Sequence, residues 1–373
     1  MIAVRHLPML LTVLTVLIGL AACAPPEPVR VGYIGGLSDR VSDLGIGGLQ
    51  GVRLAVELRN KAGGIKGRPI ELIESDDQQT ADIAVQAFDS LVERHVLAVV
   101  GPMTSSMAMA IVPRANAAKM LIMSPTVTTG DLLGIDDYFF RVIPATQEFV
   151  RTNAEYYYQV LGLRRVRLVF DIRNRSYSQS WLDEFSKSFS ATGGTLLTPL
   201  PFTSSEETAF STLARQALAD RPDGIVLVAN SVDAAMMSQA IRRLDTRVAV
   251  GTSEWAATER LVEIGGKWTE GITVAQFFER DGRMPTYVTF RNAFISRFNR
   301  EPGFPETFSY DAANVIFDAL AARQGNQTIK QAILARRHFV GAQRPIDFDD
   351  YGDTQGKTFM VGIRNGAFVP IKH

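Results

Sequence analysis

One cysteine, Cys23, stands in 373 residues, so no disulfide forms within the chain and a cysteine-rich metal site is excluded. Histidine is nearly as scarce. Beyond the N-terminal His6 only His95, His338 and His373 occur, far apart in sequence, and His95 reads as the end of an amphipathic helix. No H-E-x-x-H, C-x-x-C, G-x-S-x-G or G-x-x-x-x-G-K-[ST] pattern is present, which leaves no recognisable nucleophile–base pair, zinc site or phosphate loop. Gly45, Gly47, Gly48 and Gly51 lie near a helix start, but no Lys follows them as in a phosphate-binding loop. An excess of either charge is also missing. Thirty-nine Lys plus Arg balance 39 Asp plus Glu, so no net field draws nucleic acid or an anionic membrane. After Leu20 no apolar run reaches the ~20 residues a bilayer span needs. Internal repeats and low-complexity tracts are absent. The acidic cluster Asp347, Asp349, Asp350 and Asp353 lacks the Gly and the terminal Glu of a calcium loop and reads as a solvated turn. These absences point away from an enzyme and towards a binding module.

What is present begins with location. Arg5 and His6 precede an apolar run, Leu7 to Leu20, of signal-peptide length. It closes in Leu20-Ala21-Ala22-Cys23 and is followed by a proline-rich stretch, Ala24 to Pro28. This resembles a bacterial lipobox, which implies that residues 1–22 are a lipoprotein signal peptide and that Cys23 is the lipid-modified first residue. Residues 23–28 then form a stiff tether. The remaining length suits two domains.

From Val29 the chain alternates short apolar strands with amphipathic helices. Strands are expected at Val29–Ile34, Pro69–Glu74, Val96–Val100 and Met120–Met123, with helices at Gly48–Lys61, Thr80–His95 and after Ser105. In the second of these helices Ile83, Ala84, Ala87, Phe88, Leu91 and Val92 recur at helical spacing. After a helix at Phe149–Leu161 the rhythm restarts, with strands at Val166–Phe170, Thr195–Leu200, Ile225–Ala229, Val248–Gly251 and Ile272–Ala275. Helices at Tyr287–Asn299 and Tyr310–Arg323 and strands at Thr358–Ile363 and Ala367–Ile371 complete it. Repeated β-α-β units predict an α/β protein with two mostly parallel sheets flanked by helices, hence two lobes with a cleft between them.

One stretch, VVGPMTSSMAMA from Val99 to Ala110, asks a chemical question. Thr104, Ser105 and Ser106 sit where a strand turns into a helix. Such hydroxyls cap helices; a helix start also holds anions such as carboxylates. The stretch alone leaves both readings open.

The resemblance to a known family is carried by longer segments: NKAGGIKGRPIEL, SDD, VVGPMTSS, MSPTVT, FRVIP, DIRNRSY, FSYDAANVIFDAL and IDFDDYGD, in that order. Together they make Val29 to His373 similar to the leucine/isoleucine/valine-type periplasmic binding proteins, the type I solute receptors of ABC importers. The resemblance implies a hinged cleft, with residues 29–144 plus 277–355 as the N-terminal lobe and 145–276 plus 356–373 as the C-terminal lobe. It implies that Ser105, with its neighbour Ser106, and Thr126 and Thr128 bind a ligand carboxylate. In the second lobe it points to Tyr177 as a cover for the ligand, to Asn230 at a ligand-facing strand end, and to Glu254 as partner of an α-ammonium. Trp255 either floors the side-chain pocket or covers a helix start.

The ligand class so implied is a small amphipathic molecule: an amino acid, an amide or an aromatic acid. An ABC permease is the expected partner, the lipid anchor is the only membrane contact, and the protein is expected to be a monomer without cofactor or metal. It would be exported, and would face the periplasm in a Gram-negative cell. A sensor using the same cleft without a transporter is the alternative. Some features depart from the family. Leu44-Gly45 replaces a cleft aromatic before a Gly, and Gln79 and Thr104 replace a disulfide pair of some members. Arg40, Arg173 and Arg175 lie in loops expected to border the cleft, where they either read a second carboxylate or remain solvated.

Overall fold

The computed structural model describes residues 26–38 and 42–371. The expected leader, Cys23 and Arg40 lie outside the described residues. The first lobe runs through β1 (Val29–Gly35), α1 (Asp43–Lys61), β2 (Ile70–Asp76), α2 (Ala81–Glu93), β3 (Ala98–Val100), α3 (Ser105–Ala118), β4 (Leu121–Ser124) and β5 (Phe139–Arg141). The chain then crosses to α4 (Thr146–Glu155), which continues as one π-helical segment, Tyr156–Val160. The second lobe follows as β6 (Arg165–Asp171), α5 (Arg175–Ala191), β7 (Thr195–Phe202), α6 (Phe210–Leu218), β8 (Gly224–Val228), α7 (Ser231–Leu244), β9 (Ala249–Thr252), α8 (Glu259–Gly265) and β10 (Thr273–Gln276). Next come α9 (Pro285–Phe298), α10 (Phe304–Ala322), α11 (Ile329–Arg336) and the hairpin β11 (His338–Val340) with β12 (Pro345–Asp347). The edge strands β13 (Phe359–Arg364) and β14 (Ala367–Pro370) close the chain.

Five parallel strands in the order β2-β1-β3-β4-β5 form the first sheet; the second is β14-β13-β10-β9-β8-β6-β7, antiparallel only at β13 and β14. Strands such as β8, GIVLV, are buried along their whole length, as parallel strands covered on both faces must be. One core lies between the first sheet and α2 and α3, around Phe88, Leu91, Ile111 and Ile122. The opposite face of that sheet joins a larger cluster that reaches α10 and continues to Trp181, Phe185 and Phe189 of the second lobe. Those three rings stack along α5 with centroids 5.1 Å apart at each step.

Several helix starts lie upstream of their expected positions, two of them by five or six residues. α1 begins at Asp43 rather than Gly48, and α10 at Phe304 rather than Tyr310. The glycines of α1 are not breakers but contact points. A Cβ on Gly51 would lie 2.1 Å from the Glu306 carbonyl oxygen, so the two helices approach backbone to backbone where only glycine fits. Strand β5, helix α11 and the β11–β12 hairpin are additional to the expected elements.

Candidate functional site

The loops after β3 and β4 and those after β6 and β9 meet between the lobes, at the carboxyl ends of parallel strands where α/β proteins bind ligands. The three hydroxyl residues before and in α3 take three different roles. Thr104 holds the capping position with an extended backbone, yet its side chain makes no bond to the helix. It donates instead to Gln79 Oε1 at 3.2 Å, so the pair at the family's disulfide positions is in contact. Ser106 turns to the second lobe: its N–H donates to Asn174 Oδ1 at 3.0 Å, and its Oγ accepts from the Ser176 N–H at 3.3 Å. Ser105, the first residue of α3, is 2 % exposed and lines the interlobe cavity.

Around that cavity the first lobe adds Leu44, Met103, Thr126, Ile143 and Phe304, and the second lobe Asn174, Tyr177, Glu254 and Trp255. Thr126 is anchored through its hydroxyl to the Met103 carbonyl at 2.6 Å. Tyr177 and Trp255 meet edge to face, with centroids 5.5 Å apart at 78°. The free space between these side chains measures about 20 Å³, room for roughly one water. Larger open depressions of about 340, 500 and 390 Å³ lie elsewhere, one along the rim of the cleft beside Asp43 and Glu306. The rim depression is lined mainly by charged side chains, whereas the cleft gathers hydroxyls, aromatic rings and apolar side chains from both lobes at the strand ends, and the cleft is therefore the candidate site.

Glu254 governs the electrostatics. It opens a 3-10 turn after β9 and is 6 % exposed. Its Oε1 accepts from Thr128 Oγ1 at 3.4 Å, and Oε2 accepts from Trp181 Nε1 at 3.3 Å. Thr128 in turn accepts from the Thr146 hydroxyl at 3.0 Å, giving a buried polar chain that joins the lobes. Burial pushes the Glu254 carboxyl up to about 7, and the surrounding donors offset only part of that penalty. The Tyr177 hydroxyl faces the same carboxylate without reaching hydrogen-bond geometry. Burial and then the Glu254 charge raise its pKa well above the usual phenol value.

Of the expected site residues, Ser105, Thr126, Tyr177, Glu254 and Trp255 line one cavity, and Thr128 sits directly behind Glu254. Ser106 is engaged across the cleft and Asn230 lies off the cavity. The Asn230 side chain caps α7, accepting from the Asp233 N–H at 2.9 Å and donating to its carboxylate at 2.8 Å. Arg173 and Arg175 do not line the cavity either. Sequence reasoning missed Met103, Ile143, Asn174, Phe304 and the supporting Trp181. Asn174 lay within the quoted DIRNRSY loop; the apolar wall residues carried no signal apart from Leu44.

The acidic cluster needs correction. Asp347 pairs with His338, Asp350 pairs with Arg337, and Asp349 Oδ1 accepts the Tyr351 and Asp353 N–H groups, as a surface turn would. Asp353 is instead 4 % exposed and bonded to Arg141, because a buried guanidinium requires a counter-charge. Among the described residues no group of three His, Cys, Asp or Glu could hold a metal ion, and no helix is long and apolar enough to cross a membrane.

Comparison with known proteins gives a concordant result. A family model described as periplasmic binding protein matches residues 28–361. Leu/Ile/Val-binding protein homolog 3 of Brucella melitensis is 28% identical over 178 residues, 47% of this chain and 47% of the relative. Leu/Ile/Val-binding protein BraC3 of Rhizobium johnstonii is 28% identical over 167 residues, 44% and 45% of the two chains. The chain thus matches about half the length of these curated relatives. Among solved structures, leucine binding protein LivK of Thermotoga maritima superposes with a TM-score of 0.85 at 23% identity, over 92% of this chain and 98% of that one. LivJ of Streptococcus pneumoniae, in complex with isoleucine, gives 0.84 at 22% identity over the same shares. A solute binding protein of R. palustris in complex with benzoate gives 0.83 at 17%, over 92% and 96%. At these identities the structures share the fold.

Proposed function

The chain belongs to the periplasmic binding protein family, and from that premise we propose that it is a lipid-anchored receptor that captures an amino acid between its lobes for an ABC importer. The family consists of solute-binding proteins, not enzymes, and no covalent step is involved. The observation that carries the reading is the pairing of Ser105, at the start of α3, with Glu254 on the facing wall of one cavity. A helix start with a hydroxyl suits a carboxylate, and a buried carboxylate opposite suits an ammonium. Leu44, Met103, Ile143 and Phe304 supply an apolar wall for the side chain. The two lobes, 29–144 with 277–355 and 145–276 with 356–373, close on the ligand because only the closed form contacts it from both sides.

Calorimetric titration against a panel of amino acids, their amides and aromatic acids tests this. We expect a free α-amino acid to bind and its amide to bind more weakly. Binding of aromatic acids alone would overturn the amino-acid assignment. The anchor rests on Leu20-Ala21-Ala22-Cys23: Cys23→Ser is expected to release the exported protein from membranes, and unchanged partitioning would exclude lipidation at that residue.

A further inference from the structure

We infer that Asp43 is a latch that holds the two lobes together in the closed arrangement, an inference that rests on the two-lobed receptor reading. Asp43 is the first residue of α1 in the first lobe. One of its oxygens, Oδ2, accepts from Ser231 Oγ at 2.7 Å and from Thr258 Oγ1 at 2.6 Å. Both donors belong to the second lobe but to different elements: Ser231 opens α7, and Thr258 immediately precedes α8. A threonine at that position ordinarily caps its own helix. Thr258 makes no such bond; its hydroxyl is diverted to a carboxylate of the other lobe.

Other cross-lobe bonds include the Thr146–Thr128–Glu254 chain, the Arg280–Glu259 ion pair at 2.7 Å, and a neutral group by the start of α5: Ser106 with Asn174 and Ser176, Thr129 Oγ1 to the Ser176 carbonyl at 3.1 Å, and the Gly130 N–H to Ser180 Oγ at 3.1 Å. Hydrogen bonds to an ionised acceptor are the stronger kind. Asp43 does not line the ligand cavity, although its neighbour Leu44 does. It is therefore a positioning residue that acts on closure and not on the ligand. An amino acid does not fit into about 20 Å³, so it enters only after the lobes part and these bonds break. The latch sets how often that happens.

The test needs no ligand. In the full-length protein with Trp268→Phe, the remaining tryptophans, Trp181 and Trp255, report from the cleft, and acrylamide quenching of their fluorescence measures opening. Asp43→Ala is expected to shift the closed-to-open ratio roughly ten- to a hundredfold towards open, with stronger quenching and red-shifted emission. Ser231→Ala combined with Thr258→Val leaves Asp43 in place and is expected to do the same. Adding Asp43→Ala to that pair is expected to change nothing further. Unchanged quenching in a cooperatively folding Asp43→Ala protein overturns the latch, as does full additivity of the two sets. If Asp43→Ala fails to fold, the hydroxyl pair decides alone. Failure to bind any amino acid in the calorimetric panel would sink the receptor reading while leaving this result standing.

Discussion

Arg141 Nε meets Asp353 Oδ1 at 2.6 Å, and both side chains are shut away from solvent. The pair is a junction. Arg141 Nη1 also donates to the Thr129 carbonyl at 2.9 Å, and Asp353 Oδ2 accepts the Gly134 N–H at 2.7 Å. It thereby fixes the loop that carries Thr128 and Thr129 into the cleft. Removing one partner leaves the other charge buried and unpaired, so Arg141→Ala or Asp353→Ala is expected to cost about 3–5 kcal/mol. Chemical denaturation measures it. A loss below about 1 kcal/mol would mean that the remaining group finds water.

For Ser105 the expected signature is affinity without stability. Ser105 lines the cavity and the capping position belongs to Thr104. Ser105→Ala should weaken binding of the amino acid found by titration roughly ten- to a hundredfold, with the melting temperature nearly unchanged. Early melting at parental affinity would assign the hydroxyl to the helix instead.

The pH dependence follows from Glu254. Its folded pKa, about 7, lies above the ordinary glutamate value of 4.5, so between these values the folded state binds more protons than the unfolded chain. Stability therefore falls as pH rises from about 4.5 to about 7, by on the order of 3 kcal/mol from this group. Asp77 and Asp171 are raised to about 6 and Asp311 to about 8, all by burial. The contribution of Glu254 is thus the difference between the parent and Glu254→Gln. Denaturation curves from pH 4 to 8 should be flatter for the variant; parallel curves would mean that Glu254 titrates normally.

Gln79 and Thr104 stand in hydrogen-bond contact, which brings their side chains close enough to ask for a covalent link. Gln79→Cys with Thr104→Cys should form a disulfide under oxidising conditions and raise stability by roughly 3 kcal/mol, given the loop it closes. Thiol titration and melting with and without reductant check this. Two free thiols after oxidation would show that the backbone geometry is wrong for the bond.

Much of this was legible in sequence because parallel strands and their covering helices leave strong periodic signals. β8 is an uninterrupted apolar run, and α2 buries Ala84, Phe88 and Leu91 on one stripe. What stayed hidden depends on tertiary context. β5 has three residues and ends in Arg141, a residue that reads as surface until Asp353 arrives from more than two hundred positions away. Asp43 looks like an ordinary first-turn carboxylate until two hydroxyls of the other lobe converge on it. The start of α1 was obscured because glycines normally weaken helices, and the approach of Glu306 that requires them comes from the far end of the chain. In the cleft, the polar residues announced themselves by type and position. Met103, Ile143 and Phe304 did not, since apolar residues at strand ends look alike whether they line a cavity or fill a core.

The packing of α10 against α1 and against β3 and β4 has a consequence for biosynthesis. Residues 304–322 cover a face of a sheet whose strands end at residue 141, so the early half of the chain cannot finish its own core as it emerges. The first sheet must wait, with that face open, until almost the whole polypeptide has been made. Truncation anywhere before residue 322 should therefore leave a protease-sensitive chain rather than one intact lobe.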